Sequence, residues 1–157
     1  MWFFMNLCYF LTALSVVMIF VSGLQGYFQF KLFNANHPTF ALLTMIIYLF
    51  TETLIIFFFV GTGVSIKEYI LEKKLSADFH KRSLKIKMRV YPPLLLSILL
   101  FMILFISGGA VDTQHLPGWI HGTLFCVVLI HFLYAVHIQH QCFKENTQIV
   151  LEMSGVQ

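Results

Sequence analysis

A chain of 157 residues that is 59% hydrophobic and only 11% charged, with a mean hydropathy of +0.82, has too little polar surface for a water-soluble globular domain. Its 18 phenylalanines would make an aggregating surface in water, so lipid is the solvent they fit. The net charge of +3 is carried by no polar domain that could hold nucleic acid, and three cysteines without paired spacing argue against a disulfide framework or a covalently attached c-type haem.

Four apolar segments follow in order, residues 3–24, 40–66, 90–106 and 119–142. Each is long enough to bridge a hydrocarbon core ~30 Å thick at a rise of ~1.5 Å per residue. They predict an all-α fold: one domain over residues 1–157, an integral membrane bundle of four transmembrane helices. The first segment has no basic leader and no small-residue cleavage site, so it reads as a retained helix rather than a signal peptide.

The second segment carries an acid, Glu52, inside the run YLFTETLIIFFF. An ionised carboxylate at mid-bilayer costs on the order of 2.5–3.5 kcal/mol on insertion scales. Glu52 should therefore be neutral, paired or beside a wet cavity.

Between the second and third segments, residues 67–89 hold Lys67, Lys73, Lys74, Lys81, Arg82, Lys85, Lys87 and Arg89, most of the basic side chains in the chain. Positive connections stay on the cytoplasmic side, which predicts a cytoplasmic loop here and cytoplasmic N- and C-termini. A solvated basic loop against acidic headgroups is preferred to an interfacial amphipathic helix. Pro92 and Pro93 read as the entry to the third helix, where a missing N–H is harmless.

That orientation sorts the histidines by depth. His37, His115 and His121 converge on the outer face, whereas His137, His140 and His80 lie toward the cytoplasm. His131 lies about twelve residues, or ~18 Å, inside the fourth segment. Glu52 is about as far inside the second segment counted from Phe40, and the two segments run in the same direction, so the acid and the imidazole are expected at one level. There they would form a proton-handling pair, assisted by Tyr48 and by Thr51 or Thr53. A purely structural role for a protonated Glu52, gluing helices together, is the alternative.

His121 and His131 are ~15 Å apart along one helix and cannot share a metal, so a ligating histidine on the fourth segment needs a partner from elsewhere. His37 opposite His121 gives two imidazoles facing across a four-helix bundle, a suitable axial pair for a b-type haem. The second metal reading gathers His37, His115 and His121 with Asp112 into a copper or zinc site. Nucleotide-binding and hydrolase signatures are absent, and the Gly61–Gly63 stretch is too short to cradle a phosphate.

The order of a helix-opening His37, a basic connection, Pro92-Pro93, Gly108-Gly109 and GWIHGTLF leading into a histidine-bearing last helix resembles the HemJ/CopD-like group of small haem- or copper-associated membrane proteins. The resemblance spans the last three helices, residues 35–140. The group's pattern has a lysine soon after the Trp-x-His stretch where this chain has Thr123, so what the resemblance implies is a haem-class protein rather than a particular reaction.

These observations lead to one expectation of function: a cytochrome b-like subunit binding haem b between His37 and His121 and taking part in electron transfer, as an oxidoreductase subunit with a quinone as possible partner. The alternative is a non-catalytic accessory subunit whose polar groups bond the helices of a larger membrane complex. Ion transport is less favoured, because four helices leave little room for two gates.

Overall fold

The computed structural model describes residues 2–155, which form four helices in chain order. These are α1 (Trp2–Phe28), α2 (His37–Lys73), α3 (Asp78–Asp112) and α4 (Gly118–Ser154), and each is long and apolar enough to cross a membrane. The all-α four-helix expectation holds.

Helix packing follows a heptad seam. α4 buries Val128, Phe132, Ala135, Gln139, Cys142, Asn146 and Ile149, spaced alternately by four and three residues. α3 buries Ser83, Ile86, Val90, Leu94, Ser97, Phe101 and Leu104 on nearly the same rhythm. Spacing that alternates in this way keeps one stripe facing the neighbouring helices. Small residues on the stripes, such as Ser15, Ser22, Ser83 and Ser97, let the backbones approach. The helices form a ring in chain order, α1 on α2, α2 on α3 and α3 on α4, and α1 meets α4 only lightly. α2 and α4 are therefore diagonal partners.

The basic connection is not a loop. α2 runs on to Lys73 and α3 begins at Asp78, leaving only residues 74–77 as a turn, with Lys74 in the left-handed region at φ 54°. Loss of hydropathy marks where a helix leaves hydrocarbon, not where it ends, since a polar helix satisfies its own backbone in water as it does in lipid. Pro92 and Pro93 consequently sit about four turns inside α3 rather than at its start. Their missing N–H groups leave the carbonyls of Met88 and Arg89 without intrahelical donors. At this end Arg82 binds Glu152 at 2.5 Å and Arg89 binds Glu145 at 2.8 Å, tying α3 to α4. Both pairs lie at the surface, where solvent screening leaves each little net stabilisation.

At the opposite end the α1–α2 connection is a tight turn. Leu32 and Ala35 exchange backbone hydrogen bonds around Phe33 and Asn34, both at positive φ. Gln25, fully buried on α1, donates its amide N–H to the Ala35 carbonyl at 2.8 Å. Asn36 then caps α2, its Oδ1 accepting from the backbone N–H of Thr39, and Pro38 occupies the first turn. His37 is thereby fixed as the opening residue of its helix.

Candidate functional site

Two cavities interrupt the packing. One, of about 520 Å³ at the basic end, is lined by Phe4, Phe58, Thr62, Tyr69, Met153 and their neighbours, with no imidazole, thiol or carboxylate. The other, of about 610 Å³, opens among all four helices at the far end and is lined by both His37 and His121. Its walls are apolar, from Ile19, Phe20, Leu104, Phe105, Phe125 and Leu129, and Tyr48 lies at its inner end. That volume lies within the ~300–1,000 Å³ of ordinary cofactor and ligand pockets.

The two imidazoles meet as the spacing predicts, with ring centroids 6.4 Å apart and planes at 68°. Two imidazoles trans on one metal ion, with metal–nitrogen bonds of ~2.0–2.1 Å and centroids ~1.1 Å behind the nitrogens, stand roughly 6.3 Å apart; a tetrahedral angle would draw them in to roughly 5.1 Å. The observed centroid separation is close to the first of these two values.

No protein-family model, curated protein or solved structure matches the chain. The chemistry of the site is therefore read from its own atoms.

The tautomer of His121 follows from its neighbour. The Ser107 hydroxyl donates to the Leu104 carbonyl at 2.7 Å, which uses its one hydrogen, and its oxygen lies 2.9 Å from His121 Nδ1. With its hydrogen on that carbonyl, Ser107 accepts from His121 Nδ1–H, and this tautomer leaves the Nε2 lone pair for a ligand. Each ring also leans on a glycine of another helix. A Cβ on Gly26 would sit 3.1 Å from His37 Cε1, and one on Gly108 would sit 3.2 Å from His121 Cε1. Any larger residue there would push the imidazole from its place.

The four-residue copper or zinc set is not brought together. His115 is exposed on the turn after α3, where its Nδ1 lies 3.0 Å from Thr113 Oγ1. Asp112 lines the cavity, but among the described residues no three His, Cys, Asp or Glu side chains gather closely enough to hold a metal ion. The turn that ends α3 carries His115 away from the pair.

Glu52 and His131 do not bond each other. Glu52 is 1% exposed, and its Oε2 accepts from Gln139 Nε2 at 2.7 Å. His131 Nδ1 instead lies 2.9 Å from Ser97 Oγ on α3. Measured from the His37–His121 contact, Glu52 is about fifteen residues along α2 and His131 only about ten along α4, so the acid lies ~7.5 Å deeper. Counting from the first apolar residue of each segment hid that offset, because α2 begins before Phe40.

Of the expected helpers, Thr51 meets Ser15 at 3.1 Å and Thr53 bonds its own helix at Leu49. Tyr48 is fully buried, packed against Phe101 at 4.2 Å, and its hydroxyl has no hydrogen-bond partner. Its ring also packs edge-on against Phe132 of α4 at 5.4 Å, so the phenol is held by aromatic contacts alone. At the far end of α4, His137 bonds Gln141 and His140 bonds Tyr9.

Sequence reasoning passed over the amides. Gln139 and Asn146 lie on the buried stripe of α4, and Gln25 on that of α1. The signal was there: an amide at a seam position of a heptad needs a buried partner.

Proposed function

We propose that this protein is an integral membrane subunit that binds a b-type haem between His37 and His121 and takes part in electron transfer. The observation that carries the reading is the 6.4 Å separation of two imidazoles inside a largely apolar cavity of about 610 Å³, with Ser107 Oγ 2.9 Å from Nδ1 of His121. Imidazole nitrogen is a common axial donor to haem iron, and the walls are mainly hydrocarbon and aromatic, as the edge of a macrocycle requires. When bound, the haem would supply a one-electron couple. The chain's part is to fix the axial ligands, exclude water and hold charge near them.

The resemblance of the His37, Pro92-Pro93 and GWIHGTLF order to the HemJ/CopD-like group supports a haem class, and the positive-inside rule would place this site on the outer side with both termini cytoplasmic. The test is an absorption spectrum of protein purified from haem-sufficient cells. A Soret band with bis-imidazole character is the expected result. A featureless spectrum overturns the reading and favours the accessory-subunit alternative, in which the polar seam serves assembly with partner helices.

Glu52 and His131 then act as two separate proton-handling groups at different depths below the site, each held by its own neutral partner, Gln139 and Ser97. Reduction of a haem adds negative charge to a low-dielectric interior, which raises the proton affinity of Glu52 modestly across the ~22 Å along α2 that separate it from His37. Cys8 from α1 and Tyr48 from its own helix are the titratable groups in its field, and its bonded partner is the neutral Gln139 amide. The midpoint potential should therefore fall as pH rises over the range in which Glu52 titrates. In Glu52→Gln that slope flattens while the spectrum stays; an unchanged slope removes Glu52 from the proton chemistry.

A further inference from the structure

Ser107 gives His121 its second hydrogen bond, but His37 has no such partner. Its Nδ1 is buried without a hydrogen bond. A ligating histidine almost always donates its other ring N–H to an acceptor, which fixes the tautomer and raises the basicity of the ligating nitrogen. If His37 Nε2 ligates, Nδ1 carries the proton and requires an acceptor.

The same corner holds an acceptor with no donor. Gln25 is fully buried; its Nε2 is committed to the Ala35 carbonyl, two residues before His37, and its Oε1 is buried without a partner. The next residue, Gly26, packs directly against the His37 ring, where an added Cβ would lie 3.4 Å from Nδ1 itself. Other acceptors of this part of α1 are engaged: the Gln25 carbonyl takes the Gln29 N–H at 2.9 Å and the Gly26 carbonyl takes Gln29 Nε2 at 2.6 Å. A buried acceptor and a buried ring nitrogen, both unsatisfied and one residue from contact, are complementary.

We infer that Gln25 is the positioning residue of His37: its Oε1 accepts the Nδ1 proton when Nε2 is ligated, as Ser107 does for His121. This rests on the haem reading and adds to it a polar brace on α1. The two atoms are not bonded as they stand, so the contact would form by reorientation of the Gln25 side chain on ligation.

Two variants separate this role from the loop tie to Ala35. Gln25→Leu removes both the acceptor and the amide donor, whereas Gln25→Glu keeps an acceptor and loses only the donor. Haem b is titrated into each purified full-length variant, and the midpoint potential is read by optical redox titration. Gln25→Leu is expected to weaken haem binding by about 10–100-fold and raise the potential, the scale at which lost outer-shell bonds act. Gln25→Glu is expected to hold haem as the parent does, at a potential below that of Gln25→Leu. If the two variants agree in affinity and potential, or if neither differs from the parent, the inference falls and Gln25 is only a loop anchor. Should Gln25→Leu fail to fold, the Gln25→Glu potential decides against the parent: equal or higher overturns the assignment. A parent protein without a Soret band fails the ligation reading itself, a separate outcome.

Discussion

His121→Ala and His37→Ala are each expected to reduce the Soret band to the background of protein-free micelles, whereas His131→Ala and His115→Ala leave it in place. On the haem reading each histidine would supply one nitrogen, and although Asp112 and Cys126 line the cavity, among the described residues no third His, Cys, Asp or Glu gathers with the pair to substitute. Neither histidine is fully buried, so truncation leaves the helix seams intact and thermal melts should stay near the parent. Free imidazole added to the His121→Ala protein should restore part of the band by filling the vacated position. Loss of the band in His115→Ala would revive the four-residue metal set with Asp112. Loss in His131→Ala would move the ligand to the middle of α4.

The second large effect concerns stability. Gln139→Leu leaves the Glu52 carboxyl buried without its only hydrogen-bonded partner among the described residues, and the expected loss is about 1–3 kcal/mol, the desolvation penalty of one orphaned polar group. Adding Glu52→Leu to that variant should recover most of the loss, since two apolar side chains of similar size suit an otherwise apolar seam. Double-mutant cycles within membrane proteins average ~0.6 kcal/mol with a maximum of ~1.7 kcal/mol, and a pair buried on both sides belongs at the upper end. Reversible unfolding in mixed micelles of dodecyl maltoside and SDS measures all three variants. A Gln139→Leu protein that unfolds with the parent means Glu52 has another partner, and the polar seam needs a different description.

Much of the architecture could be read from the chain alone, because bilayer thickness turns hydropathy into helix number. The ends of the helices could not. Residues 67–89 are polar enough to leave lipid, and polarity was taken for a loop although their backbone remains helical on both sides of residues 74–77. The pairing of His37 with His121 was legible for a local reason: each opens its own helix at the same end, so little chain separates either from a common reference plane. Glu52 and His131 are far from any such reference. The relative slide of two diagonal helices accumulates unseen, and an offset of some five residues placed the acid against Gln139. Gln25, Gln139 and Asn146 show that neutral amides on a seam repay as much attention as charges.

The imidazoles belong to different halves of the chain. His37 and the glycine it leans on, Gly26, lie on the first helical hairpin, while His121 and Gly108 lie on the second. On the haem reading each hairpin would be a half-site, and the coordination sphere would be bipartite. The first pair of helices would then contribute only one of the two ligands until the second pair docks. Capture of the cofactor would then act as a late checkpoint that registers whether both hairpins have docked, and a chain cut between α2 and α3 should load only when its two pieces are expressed together.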